Sequence, residues 1–216
     1  MLIMSSLREE IAQRYDDMYR NAGGDPDLVP WDDGRANPML VDWLNINYPQ
    51  GATGEKAVVV GCGLGDDVAE LAGRGFEAVG FDISPTAVQW AAERHPRLAD
   101  KFQQADLLQL PSSMIGRFDL VVEIYTLQSL PPAAWKDAAE GVASLPAAGG
   151  VLFTVARGRN ADEPQEDHPP YRFTAGQYSA FFLDNGLRTD SVQLITDRED
   201  PPVRRLISVF HRPKVS

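Results

Sequence analysis

The chain has 216 residues, 44% of them apolar, which is enough to build the core of one α/β domain with some decoration. Lys and Arg number 20 against 31 Asp and Glu, a net charge of −11 at pH 7, and so acidic a surface argues against nucleic acid as a partner. Cys62 is the one cysteine, which excludes an intramolecular disulfide and a cysteine metal cluster, and no metal site is expected. The opening MLIM is too short for the apolar part of a secretory signal, and polar SSLREE follows it. No run has the length of a membrane span, so a cytoplasmic protein with no membrane partner is expected.

Ser6 followed by Glu9 is a capping-box pattern that predicts a helix to about Arg20, with Leu7, Ile11, Tyr15 and Met18 as its apolar positions. NAGGDPD breaks it. VPWDDGRANPML follows, dense in turn formers yet carrying an indole, two acids and an arginine. A second helix is predicted from about Pro38 to Asn47. Ala57 to Val60 then reads as a buried strand, because β-branched side chains pack well on a doubly covered pleated surface. Gly61, Gly63 and Gly65 come next, where the chain must turn tightly and present bare backbone. A helix from about Leu64 to Gly73 points the positive end of its dipole at that turn.

A second strand from Phe76 ends at Asp82, and Ser84 and Pro85 open a helix that runs to about His95. Phe102 to Ala105 is a short third strand with Asp106 at its end, and Phe118 to Ile124 is a fourth. LQSLPPAAW turns into a helix ending near Leu145, and Gly149-Gly150 starts a fifth strand, VLFTVAR. RGRNADEPQEDHPPYR is either a disordered bridge or a functional loop, with its acids solvated and His168 exposed. Thr174 caps a helix through Leu183. Two closing strands, Leu187 to Ile195 and Val203 to His211, flank the turn DREDPP as an antiparallel pair. Trp43, Trp90 and Trp135 fall in helices as packing residues. The expected organisation is a single domain: a helical arm over residues 1–54, a core over 55–156, a variable loop over 157–173, and a helix with a strand pair over 174–216. Strands alternating with helices imply a doubly wound, mostly parallel sheet with helices on both faces and right-handed crossovers, to which a terminal hairpin adds an antiparallel edge.

A strand, glycine turn and helix in this order form the first half of a nucleotide-type cofactor site, and Asp82 ends the second strand where an acid accepts from ribose hydroxyls. The dinucleotide fingerprint needs a third glycine where this chain has Asp66. Asp66 and Asp67 at the helix start would meet a pyrophosphate as like charges, whereas a sulfonium ligand with an α-amino group has no such conflict. The carboxylates therefore favour S-adenosylmethionine, although Asp67 is equally read as a plain helix N-terminal acid. Cys62 is a small filler in the turn. Asp106 either accepts from an adenine amino group, with Leu107 against the ring, or caps the next turn. Glu123 would point into the crevice at the carboxyl end of the strands, and Asp119 is structural.

These residues resemble class I S-adenosylmethionine-dependent methyltransferases over roughly residues 55–153. GCGLG is similar to their glycine motif, FDIS (Asp82, Ile83) to their ribose-binding acid, DLLQLP (Asp106, Leu107) to their adenine-binding segment, and RFDLVVE to their fourth strand. The resemblance implies a Rossmann-like seven-stranded sheet with one antiparallel strand. PWDDGRANPML, GCGLGDDVAEL and HPPYRFTAGQY resemble the thiol, halide and thiopurine methyltransferase group within that class. The group's PWD-x-G-R tryptophan closes over the cofactor and carries over to Trp31; its aspartate after the glycine turn carries over to Asp67. VVEIYTLQSLPP departs from the group by lacking the aromatic acceptor-side residues of the plant enzymes.

The expected cofactor contacts are Trp31, Gly61, Cys62, Gly63, Gly65, Asp67, Asp82, Ile83, Asp106, Leu107 and Glu123. The expected function is methyl transfer to a small molecule, a thiol or other soft nucleophile first and an oxygen or nitrogen acceptor in a metabolite second. Tyr15, Glu123 and Tyr171 are candidates for a catalytic role. The lid is expected from Tyr15 and Trp31 on one side and the loop 157–171 on the other, while Trp31 could instead simply pack the arm and Tyr15 the core. Arg35 is either the ion-pair partner of Asp32 or Asp33 or an acceptor-side group. The rival classes are an NAD(P)-dependent oxidoreductase and a non-catalytic cofactor-binding protein.

Overall fold

The computed structural model describes residues 2–197 and 199–214. Met1 of the opening MLIM and Arg198 of the DREDPP turn lie outside the described residues. The backbone divides into two compact units, Met1–Gln109 and Leu110–Ser216. Its seven strands form a sheet of order β3-β2-β1-β4-β5-β7-β6, with β1 to β7 numbered along the chain.

The first unit comprises α1 (Leu2–Ala22), α2 (Pro38–Asn47), β1 (Lys56–Val60), α3 (Asp66–Gly73), β2 (Glu77–Asp82), α4 (Pro85–Arg94) and β3 (Phe102–Gln104). β1 pairs parallel with β2 (Val58 opposite Val79) and β2 parallel with β3 (Phe81 opposite Gln103). The valines of β1 are buried, as a strand covered on both faces requires. Gly80 has to be a glycine, since a Cβ there would stand 2.7 Å from both Cys62 Cβ and Val68 Cγ2, inside the contact of the turn and α3 with β2. Ser84 caps α4 by accepting from the Ala87 N–H at 3.0 Å.

The start of α1 departs from the sequence reading. The helix begins at Leu2, so Ser6 and Glu9 lie inside it and form no cap. Its buried positions are Ile11, Asp16, Tyr19 and Ala22, while Leu7, Tyr15 and Met18 are half-buried. Asp16 spends its charge locally: Oδ1 accepts from Ser84 Oγ at 2.8 Å and the Thr86 N–H at 3.1 Å, and Oδ2 pairs with Arg20 at 2.8 Å. Burial raises its pKa, but those hydrogen bonds and the Arg20 charge outweigh it and hold the carboxyl below the usual value.

The second unit comprises β4 (Phe118–Ile124), α5 (Trp135–Ser144), β5 (Pro146–Arg157), α6 (Ala175–Leu183), β6 (Arg188–Thr196) and β7 (Arg204–His211). β4 and β5 are parallel; β7 is antiparallel to both β5 and β6 and lies between them. The closing strands thus pair as expected, but the last one inserts, leaving β6 at the edge and β7 as the antiparallel strand. In the charged loop over 157–173, Asp162, Asp167 and His168 are exposed as expected, while Glu163 and Glu166 are tied down. Arg172 pairs with Glu166 and Arg204 with Glu163, and Gly158 bridges to Phe173. Among the described residues no helix is long and apolar enough to cross a membrane.

Candidate functional site

The glycine turn of the first unit is left-handed at all three glycines, with φ of 60° at Gly61, 50° at Gly63 and 89° at Gly65. Gly65 is the N-cap of α3, and a Cβ on it would sit 2.6 Å from the Phe102 ring. Asp82 fixes the turn from the end of β2. One carboxylate oxygen accepts from the Gly63 N–H at 3.0 Å and the other from the Ser84 N–H at 2.9 Å. Burial pushes the Asp82 pKa up against those N–H donors, and the charge of Asp16 adds to the rise. Cys62 is buried, with its thiol pKa pushed well up by burial and by the Asp82 charge, which suits a filler and not a nucleophile.

Beyond Asp82 lies an open cavity of about 390 Å3, lined by Ser5, Arg8 and Ala12 of α1 and by Ile83, Gln104 and Asp106 at the strand ends. Asp106 caps its own turn through the Leu108 N–H at 2.8 Å and pairs with Arg8 at 2.6 Å. Leu107 is buried and is not part of the lining, so Ile83 supplies the apolar wall instead.

Trp31 stands over the turn. Its indole Nε1 donates to Tyr19 Oη at 2.9 Å, and its ring meets Tyr15 and Tyr19 edge-on, with centroids 6.0 and 5.7 Å away. A Cβ on Gly63 would come within 3.2 Å of Tyr19 Oη and 4.0 Å of Trp31 Nε1, so the bare glycine faces this pair. Tyr19 is 2% exposed, with its pKa raised well above the usual value by burial and the Asp82 charge. It escaped the sequence reading, although its spacing of eight from Ile11 on α1 is the signal that could have found it. Trp90 also meets the Tyr19 ring edge-on, with centroids 6.2 Å apart.

The two acids after the turn need a corrected account. Asp66 is not a bare charge at the helix start, because it meets Arg94 at 2.6 Å and His95 at 3.3 Å. Its repulsion of a pyrophosphate is therefore a weaker discriminator than the sequence suggested. Asp67 accepts from the Asn37 N–H at 2.7 Å; burial raises its pKa to about 6, with Asp66 and Glu70 contributing. The partner of Asp32 is Arg94 and not Arg35, which is exposed.

The second unit holds the remaining candidates. Glu123 is fully buried and accepts from the Thr126 and Leu127 N–H groups, each at 2.9 Å, and from the Tyr178 hydroxyl. Burial raises its pKa to about 6. Tyr171 is 5% exposed, with its ring edge-on to Trp135 at 5.2 Å. The Glu123 carboxylate is spent on its own unit, which argues against it as a group that meets a ligand, and the Tyr171 ring packs on Trp135. The sequence reading also passed over Tyr125, a non-glycine residue at φ 65° directly after β4, with Arg205 5.1 Å above its ring.

The sequence model of the thiopurine S-methyltransferase (TPMT) family matches residues 25–207. Thiocyanate methyltransferase 1 of Brassica oleracea is 28% identical over 174 residues, covering 77% of this chain and 72% of that protein. The 2-heptyl-1-hydroxyquinolin-4(1H)-one methyltransferase of Mycobacteroides abscessus is 26% identical over 171 residues, 76% of this chain and 72% of that one. In fold, the chain is similar to the 1,6-didemethyltoxoflavin-N1-methyltransferase of Burkholderia thailandensis, solved with bound 1,6-didemethyltoxoflavin and S-adenosylhomocysteine. The TM-score is 0.73 at 15% identity, over 94% of this chain and 87% of that one. With the family match spanning most of the chain, and a seven-stranded sheet carrying one antiparallel strand, the chain belongs to the thiopurine S-methyltransferase family and is a methyltransferase.

Proposed function

We infer that S-adenosylmethionine is the methyl donor, held at the glycine turn of the first unit, and that the acceptor is a small molecule with a thiol or other soft nucleophile. The junction at Asp82 carries this reading: one carboxylate ties the Gly63 turn to the start of α4, and the next residue, Ile83, lines a cavity of about 390 Å3. The Asp82 carboxylate is held by backbone N–H groups alone, and the acceptor capacity it has beyond them suits a ribose hydroxyl. Ile83 and Asp106 offer an apolar wall and an acceptor suited to adenine, with Leu107 behind them. The bare backbone of Gly61, Cys62, Gly63 and Gly65 fits an amino-acid moiety, and Asp67, with one oxygen held by Asn37, has its other oxygen for the α-amino group. Trp31 covers the turn.

When bound, S-adenosylmethionine supplies a methyl group on a sulfonium, open to in-line displacement. The protein's part is alignment and exclusion of water, and positioning of this kind is worth on the order of 7–11 kcal/mol. A thiolate is nucleophilic without a general base, which agrees with the Glu123 carboxylate being committed elsewhere. A hydroxyl acceptor in a small metabolite is the second reading, favoured by the likeness to the hydroxyquinolone enzyme.

The test is S-adenosylhomocysteine release across thiols, halides, a thiopurine, tellurite and a hydroxyquinolone, with binding followed by calorimetry. Turnover of thiols is the expected outcome, and turnover of the hydroxyquinolone alone would move the assignment to the second reading. Binding of NADH with no binding of S-adenosylhomocysteine would overturn the donor.

A further inference from the structure

The arm that carries Trp31 runs from a short 3-10 helix (Pro26–Leu28) to α2, and much of it faces solvent. Trp31, Asp33, Gly34 and Arg35 are exposed, and a Cβ on Gly34 would meet nothing within 4 Å. Val29 at its start is buried with Tyr19, Ala22 and Leu64, but residues 31–35 beyond it bury little apolar surface, so that stretch depends on polar tethers for its position. Tethers grip it at both ends, and both lead to the two aspartates that begin α3. Asp67 takes the Asn37 N–H at 2.7 Å. Asp66 works through Arg94, whose guanidinium meets Asp32 twice, at 2.9 and 2.8 Å, and Asp66 at 2.6 Å.

The Asp32, Asp66 and Arg94 side chains are 10%, 17% and 24% exposed, so this cluster is shielded from much of the screening that weakens surface ion pairs. Arg94 is the last residue of α4, where the helix dipole favours a cation, and Asp66 is the first of α3, where it favours an anion. Take the guanidinium away and Asp32 and Asp66 face one another as like charges. The arm would then be pushed off the turn that it covers.

We propose that Arg94 is a positioning residue for the donor site: its fork clamps Asp32 to Asp66 and so holds Trp31 against Tyr19 over Gly63. The proposal rests on the reading of the glycine turn as the donor site. Arg94 acts through Trp31 and not on the ligand, and this separates it from a strut for the fold. A strut would lower the melting temperature and leave affinity in the folded protein alone.

The experiment uses the full chain with S-adenosylhomocysteine as probe, by calorimetry and stopped-flow fluorescence, below the melting temperature of every variant. Arg94→Met is expected to raise the dissociation constant about tenfold, mostly through faster release, and Arg94→Lys to recover part of the loss because an ammonium lacks the fork. Trp31→Ala should weaken binding by a similar factor. In the Trp31→Ala background, Arg94→Met should cost less than about a further twofold, since the ring it positions is gone. Should Arg94→Met be too unstable to titrate, Asp32→Asn breaks the same clamp from the arm side with the same expectations. Full additivity in the double variant, or wild-type affinity in Arg94→Met, overturns the clamp and leaves the donor site standing. A wild-type protein that does not bind S-adenosylhomocysteine overturns the donor site and the clamp with it.

Discussion

Asp82 at the end of β2 and Glu123 near the end of β4 are two answers to one problem. Each is a buried carboxylate at the carboxyl end of a parallel strand, and each accepts two backbone N–H groups. Glu123 takes both from the loop that follows it, whereas Asp82 takes Ser84 from its own loop and Gly63 from the glycine turn after β1. They differ in what closes the rest of the group. The Tyr178 hydroxyl takes the other oxygen of Glu123, which is fully buried, whereas Asp82 has backbone N–H donors only and is 8% exposed. A carboxylate with donors on both oxygens and no exposed atom is an anchor for its loop. One that is still partly exposed, next to a residue that lines a cavity, can also serve a ligand. Position at a strand end thus does not by itself distinguish a binding acid from a structural one; what closes the carboxylate, and whether anything can still reach it, does.

The largest effect expected from this contrast is on stability in the second unit. Glu123→Ala leaves two N–H groups and the Tyr178 hydroxyl buried without their acceptor, at a cost of about 3–5 kcal/mol. That corresponds to a fall in melting temperature on the order of 10 °C, read by calorimetry. A fall of only a degree or two would mean that Glu123 anchors little. Asp82→Ala should act chiefly on the ligand, raising the S-adenosylhomocysteine dissociation constant about a hundredfold or more, because hydrogen bonds to a charged group are worth about 1.5–3 kcal/mol each. It should also lower the melting temperature, since the Gly63 and Ser84 N–H groups lose their acceptor. Asp82→Asn, which keeps one acceptor oxygen, should fall between. Equal affinity in all three proteins would make Asp82 a second Glu123 and dissolve the contrast.

The part of this contrast visible in the sequence is the local part. The β1 valines, the glycine turn, Asp82 at its strand end and the Ser84 and Thr174 caps are all set by neighbours within a few residues, and the structure places each where its spacing put it. Arg94 was not legible, because a lone arginine in the last turn of a helix looks solvated until the fold brings Asp32 and Asp66 to it from 62 and 28 residues away. Asp16 is of the same kind, meeting Ser84 from 68 residues away. Glu123 was misjudged for a related reason: its strand and position were read correctly, but the Tyr178 hydroxyl that closes it comes from a helix 55 residues on. At α1, the Ser6 and Glu9 pattern suggested a start that the helix runs past, because a cap signal does not oblige a helix to begin there.

The smallest expected effect concerns the sign of a charge. Burial raises the Glu123 pKa from 4.5 to about 6, against the pull of its hydrogen bonds. Between those values the native protein holds a proton that the unfolded chain has released, so the contribution of Glu123 to stability falls as pH rises through that window and levels off above it. The gap corresponds to about 2 kcal/mol. Glu123→Gln keeps a carbonyl oxygen for the Thr126 and Leu127 N–H groups and presents an amide to Tyr178, but it does not titrate. The difference in melting temperature, wild type minus variant, should therefore drop by about 4–8 °C between pH 4.5 and pH 7. Taking the difference also cancels Asp67, which titrates in the same range for its own reasons. A flat difference would mean that burial and the three hydrogen bonds balance. A difference that rises with pH would mean that the donors win and the native anion is the favoured form. Glu123 would then be held charged as a negative partner for its donors, and the distinction from Asp82 would rest on the Tyr178 hydroxyl alone.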